Sequence, residues 1–201
     1  MFLRFAPRGF FHYGGMIAAQ SLWAGLWLAQ VFGWSAEESA RGLFAINLSM
    51  LVSFLLWGSL VPRLYKSGWT AHSLMALGTP ISVAVLVVAV ALGARATAAV
   101  WAVFCVSCTV GSLSQPAIGR AFPAALAGRA LSAYNLVVFA GVFCLQWGIG
   151  LAVDGLQSAG WPLQASYQGA LALLAIGCTL SYVWFICFQD LGTLRRKPVR
   201  P

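Results

Sequence analysis

Residues Leu43–Val61 read LFAINLSMLVSFLLWGSLV, nineteen positions without an acid, a base or a histidine. A helix needs about 20 apolar residues to cross the hydrocarbon layer of a bilayer. Lipid offers no partner to a bare N–H or C=O group, so a run of this kind in a membrane is helical. Its flanks say where the helix starts and stops. Upstream, Ser35-Ala36-Glu37-Glu38 has capping-box spacing, with Ser35 as N-cap and Glu38 reaching back to it. The two acids also suit the positive end of the helix dipole. This helix is therefore predicted to begin near Ala36, outside the lipid, with Pro62 and Gly68 flanking its far end.

Five more stretches are apolar enough and long enough to span: Phe11–Phe32, Ala71–Leu92, Ala98–Gly119, Ala130–Val153 and Ala165–Phe188. Turn chemistry separates them, with Gly33-Trp34-Ser35 after the first, Phe122-Pro123 after the fourth and Asp154-Gly155 after the fifth. The composition agrees. Apolar residues are 61% and charged residues 8% of the chain, with a mean hydropathy of +0.85. Soluble domains run roughly 45–50% apolar and about 25% charged, so too few charges are present to hydrate a soluble surface. The fold class expected is an all-α integral membrane protein, with one six-helix bundle over residues 1–194 and a basic cytoplasmic tail over 195–201. The first apolar stretch is too long for a signal-peptide core and is expected to stay in the membrane.

The net charge of +8 is not gathered on one face, as a nucleic-acid footprint would be. The basic residues sit between apolar runs and set the orientation. With the N-terminus inside, the inner segments hold Arg4, Arg8, Arg63, Lys66, Arg120, Arg129, Arg195, Arg196, Lys197 and Arg200. The outer segments hold only Arg41 and Arg95. The positive-inside rule then predicts both termini in the cytoplasm, and a bacterial inner membrane fits. Trp34, Trp101 and Trp161 are expected at the outer interface, and Trp69 and Trp184 at the inner one. The tail could also hold anionic lipid.

Uncharged polar residues inside the spans are the candidate site: Gln20, Asn47, Gln115, Asn135 and Gln146. At 3.6 residues per turn, Gln20, Trp23 and Trp27 share a face, as do Asn135 and Gln146, and Asn47 and Gly58. Ser107, Gly111, Ser114 and Gln115 line one stripe of the fourth helix. Two readings stand side by side. One is a lining that hydrogen-bonds a small solute near the midplane. The other is helix–helix bonding, worth about 0.6 kcal/mol per contact, with small residues for close approach. Ser107 and Gly111 suit the second. A Gln, Asn and Trp lining suits neutral or amphipathic solutes better than strongly charged ones.

No acid or base is expected well inside a span, so no proton relay is expected in this chain. His12 and His72 are read as interfacial residues at the starts of the first and third helices. Cys105 and Cys108 form a C-x-x-C without a second pair or a nearby histidine, which suits packing better than redox chemistry or metal binding. No phosphate-binding glycine loop is present, and Ser112 and Ser114 lack a matching base. No enzyme activity, cofactor or metal is expected.

Ala45-Ile46-Asn47-Leu48 recurs as Ala133-Tyr134-Asn135-Leu136, an offset of 88 residues. The offset lays the first helix on the fourth, and the two triplets would be inverted in the membrane, a 3+3 arrangement found in transporter folds. Longer motifs carry a family likeness. Gly58-Ser59-Leu60-Val61-Pro62-Arg63 with Lys66 and Gly68 is one. Phe122-Pro123 through Gly128-Arg129-Ala130, then Asn135 and Gly141, is another. Gly150-Leu151-Ala152-Val153-Asp154 is a third, and Gln20, Trp23 and Gly25 open the chain. With these the chain resembles the C-terminal six-helix half of a major facilitator superfamily (MFS) permease. The resemblance implies a cytoplasmic loop motif at Gly58, Arg63 and Gly68, with Pro62 where the family carries an Asp, and a second at Pro123, Gly128 and Arg129. It implies a cavity wall at Gln20 and Trp23, a small-molecule solute and alternating access. It also implies a second six-helix half, from another copy or a separate chain. A non-transporting membrane scaffold that assembles partners through its helices is the other expectation.

Overall fold

The computed structural model describes residues 2–187. It is about 91% helical, with no strand among the described residues. The helices are α1 (residues 2–31), α2 (Ala36–Lys66), α3 (Ala71–Leu92), α4 (Ala98–Ala121), α5 (Ala124–Ser158) and α6 (Leu163–Cys187). α2 to α6 are each long and apolar enough to cross a membrane. α1 is a continuous right-handed helix broken in hydrogen-bond pattern by π-helical segments at Gly9–Tyr13, Ala19–Trp23 and Trp27–Val31. The chain is an integral membrane protein by the length and apolarity of its helices. The predicted tail at 195–201, Asp190 and the end of the sixth stretch at Phe188 lie outside the described residues.

The helix ends follow local chemistry. Ser35 caps α2 in the predicted box: its hydroxyl accepts from the Glu38 N–H at 3.2 Å, and its own N–H donates to the Glu38 carboxylate at 2.9 Å. Thr70 and Ser73 cap α3 in the same reciprocal way. Gly33, Gly68 and Gly160 take positive φ in three of the turns, where a side chain would be strained. Two expected breaks are displaced. α2 runs through Pro62 to Lys66, and α5 runs through Asp154 and Gly155 to Ser158. Apolarity ends where lipid ends, but helical hydrogen bonding does not. At 1.5 Å per residue, α5 is roughly 52 Å long against a hydrocarbon layer of about 30 Å.

α1 is the central helix. It packs on α5 and α6 along its length, with α2 and α4 also against it. α3 packs on α4 and α6, α2 on α4, α4 on α5, and α5 on α6. The α1–α5 crossing is a backbone contact. A Cβ at Gly141 would stand 2.3 Å from the Phe10 carbonyl oxygen, and one at Gly14 3.0 Å from the Val138 carbonyl oxygen. α2 and α3 diverge instead. A groove of about 430 Å³ opens between them and α4, lined by Leu56, Trp57, Leu77, Gly78, Ile81 and Val110 among others.

Two cores form on either side of this crossing. Trp27, Trp101, Phe104, Trp23 and Tyr167 make an aromatic cluster with edge-to-face contacts of 5.6–6.2 Å. Trp101, expected at the outer interface, is fully buried in this cluster. Trp69, Trp161 and Trp184 are exposed. The second core holds Phe5, Met75, Ile118, Tyr134, Val138 and Phe185.

Candidate functional site

The largest departure from expectation is at the start of the chain. α1 begins nine residues before the first apolar stretch, and its first turns enter the bundle. Arg8 is fully buried and His12 is 2% exposed, so the expectations of no buried charge and of an interfacial His12 are corrected. They lie one turn apart on α1 and face α3. The Arg8 guanidinium donates to Thr79 Oγ1 from Nε at 3.0 Å and from Nη2 at 2.8 Å. Nη1 contacts Met75 Sδ at 3.3 Å. His12 Nε2 meets Ser82 Oγ at 2.5 Å. Since Ser82 donates its proton to the Thr79 carbonyl at 2.8 Å, the imidazole is the donor in that bond. His12 Nδ1 is buried without a partner among the described residues.

Thr79 and Ser82 are placed by helical spacing: Met75, Thr79, Ser82 and Leu86 are the buried stripe of α3. Across the cluster, the Tyr134 hydroxyl of α5 donates to Ser114 Oγ of α4 at 2.7 Å. A Cβ on Gly111 would stand 2.9 Å from the Tyr13 ring and 3.7 Å from Arg8 Nη1. The guanidinium thus lies against Thr79 and Met75 of α3, Gly111 of α4 and the Phe185 ring of α6. A buried ion loses several kcal/mol of hydration unless a counter-charge or full hydrogen bonding offsets it. Every acceptor here is neutral, and the carboxylates among the described residues, Glu37, Glu38 and Asp154, are all exposed.

Just outside this cluster, Arg4 Nε donates to the Phe185 carbonyl at 2.7 Å, and Arg4 Nη2 donates to His72 Nε2 at 2.6 Å. Arginine has no acceptor, so His72 carries its proton on Nδ1. The His72 ring stacks on Phe185 at 4.8 Å, and the guanidiniums of Arg4 and Arg8 stand 5.2 and 5.7 Å from that ring. The result ties the starts of α1 and α3 to the end of α6.

Three of the five polar residues expected to line a site, Gln115, Asn135 and Gln146, are bonded across helices on a different surface. Gln115 Nε2 of α4 donates to Asn135 Oδ1 of α5 at 3.3 Å. Gln146 Nε2 of α5 donates to Ser21 Oγ of α1 at 2.9 Å. Gln20 is half-buried, and its Oε1 has no partner among the described residues. Gln146 and Asp154 also border a groove of about 360 Å³ with Leu22, Phe143, Trp147 and Leu151. Asn47 is exposed on α2 and, among the described residues, bonds the Leu43 carbonyl of its own helix at 2.9 Å.

Trp23 and Trp27 belong to the aromatic core instead of a solute wall. Trp27 Nε1 donates to the Ala96 carbonyl at 3.2 Å. Trp23 and Trp27 keep the common face that helical spacing predicts, both packing edge-to-face on Tyr167 of α6 at 5.9 and 6.2 Å, but that face meets the bundle core. The α4 stripe is interrupted: Thr109–Leu113 is a 3-10 segment, burying Gly111 and Ser114 and leaving Ser107 and Gln115 half-buried.

The motif residues lie at helix ends. Gly58, Arg63, Gly68, Pro123, Gly128 and Arg129 are all exposed, and a side chain at Gly58, Gly68 or Gly128 would meet nothing within 4 Å. The contact joining those ends is Arg120 over the Tyr65 ring at 5.5 Å, between α4 and α2. The five cysteines are free thiols, with Cys105, Cys108 and Cys178 buried. No family model, no curated protein and no solved structure matches the chain.

Proposed function

We propose that this chain is one half of a membrane transporter that moves a small solute by alternating access, in the manner of the C-terminal half of an MFS permease. The observation that carries the reading is the surface shared by α1, α4 and α5, where Gln115–Asn135 and Gln146–Ser21 stay part-exposed. Each primary amide has two N–H donors and an acceptor oxygen, and one bond leaves the rest unmet. Lipid cannot meet them, whereas a water-filled cavity or a second half does.

The packing supports an internal repeat. Under the 88-residue offset, the α1–α5 pair corresponds to α4–α2, the α1–α6 pair to α4–α3, and the α4–α5 pair to α1–α2, while α3–α6 maps on itself; all of these pairs pack. The α5–α6 pair has no equally close counterpart in α2–α3, where the groove lies. In this reading both termini are cytoplasmic, the membrane is a bacterial inner membrane, and a second copy or a separate six-helix chain supplies the other wall. The chain carries no catalytic step and no cofactor.

The test is flux. The purified chain, alone and co-expressed with any six-helix product of an adjoining reading frame, is reconstituted in liposomes and challenged with a solute panel. Uptake that Gln115→Leu and Gln146→Leu reduce supports the proposal. No uptake in either arrangement, with a stable complex to another membrane protein, favours the scaffold.

A further inference from the structure

The guanidinium of Arg8 has five N–H donors and uses three of them, on Thr79 Oγ1 twice and on Met75 Sδ. A thioether is a weak acceptor, so one edge of the fork is poorly satisfied. The orphaned Nδ1 of His12 lies one helical turn away. Groups from α3, α4 and α6 surround this charge, yet none of these helices supplies a carboxylate among the described residues. A structural arginine is ordinarily paired when it is this deep, because breaking or omitting the partner leaves an uncompensated buried ion. The geometry points to a partner that comes and goes.

We propose that Arg8 and His12 form a subsite for a small organic anion, whose carboxylate pairs with the free edge of the guanidinium. Such pairing is bidentate and favours arginine over lysine. The way in is beside Gly111. There the Tyr13 ring, itself only part-buried, stands against Gly111 and next to Arg8 Nη1. A larger residue at 111 would collide with that ring. Both segments that meet there depart from α geometry, the π segment Gly9–Tyr13 on α1 and the 3-10 segment Thr109–Leu113 on α4. Such segments mark hinges and functional sites, since neighbouring hydrogen-bond registers exchange there. A turn of Tyr13 away from Gly111 opens the guanidinium to a ligand, and a hydroxyl or water brought in with it satisfies His12 Nδ1. The solute class this implies is anionic, against the neutral class suggested by the amide lining.

The test measures binding, so it stands or falls apart from transport. The full chain in nanodiscs is unfolded thermally with benzoate or with its neutral isostere benzamide, at matched ionic strength. The expected result is a Tm rise of about 2–4 °C with saturating benzoate and none with benzamide. Arg8→Gln is expected to abolish that rise, and Arg8→Lys to weaken half-saturation about tenfold or more. An equal response of the wild type to benzoate and benzamide overturns the proposal. So does a benzoate response that survives in Arg8→Lys undiminished, which would place the anion elsewhere. The Lys variant keeps the test decisive should the Gln variant fail to fold.

Discussion

Two polar regions share α1 and differ in almost every physical respect. Near its start, Arg8 and His12 are buried against α3, α4 and α6, with neutral partners and one nitrogen unpartnered among the described residues. Further along, Ser21 and Gln20 sit at a part-open surface, where amides of neighbouring helices pair with one another or with a hydroxyl. The first region is expensive and wholly dependent on its surroundings. The second is cheap, because uncharged amides lose little by being half-wet and gain about 0.6 kcal/mol per interhelical bond. Costly arrangements persist where function needs them, so the sealed region is the stronger pointer to a ligand, and the open one to a cavity or partner.

Both polar regions depend on the seat of α1 against α5. Gly141→Val places a side chain on the Phe10 backbone, which cannot yield, and is expected to cost about 3 kcal/mol, measured by SDS titration of the purified protein. Both polar regions should fail together in that variant, since both ride on α1. If the loss is under half of this, the α1–α5 contact is looser than described.

Thr79→Val separates the two regions. It strips the acceptor from two charge-assisted bonds in the sealed cluster and is expected to cost about 2–3 kcal/mol, while leaving the Gln146–Ser21 pair intact. Thr79→Ser should recover most of that loss in the same unfolding assay. A neutral Thr79→Val would show that Arg8 is hydrated and not sealed. Tyr134→Phe, which removes one buried neutral bond to Ser114, is expected to cost about 1 kcal/mol.

Gln146→Leu should have the smallest effect, a loss of about 0.6 kcal/mol in unfolding. Its sign sharpens the reading of the open surface. If this face were lipid-exposed, the leucine variant would gain stability, because lipid solvates leucine and not an amide. A small loss, together with labelling of Gln146→Cys by a water-soluble maleimide, fits a wet cavity.

The amides of the part-open surface stand out by residue type alone. Gln115, Asn135 and Gln146 were legible because an amide in an apolar run seeks a partner on a neighbouring helix, and two of the pairs formed that way. The shared face of Trp23 and Trp27 was legible from helical spacing, but that it packs on Tyr167 in the core was not, because burial depends on which helix lies opposite. Arg8 precedes the apolar run and looks like an ordinary topology signal, and His12, second in that run, looks like an interfacial residue. Only the extension of α1 back to Phe2, with Met75, Thr79 and Ser82 facing it, carries them inside.

What the chain's sequence determined by itself is its solvent and its elements: the charge-poor runs require lipid, backbone groups in lipid require helices, and Ser35 with Glu38 marks a start that local bonds alone decide. What only the tertiary structure decided is which polar groups meet. That depends on contacts between residues far apart in sequence, as between Arg8 and Thr79 or Ser21 and Gln146. Those contacts follow from how closely each pair of helices approaches, and a glycine facing a backbone carbonyl at the α1–α5 crossing settles that at the scale of a single methyl group.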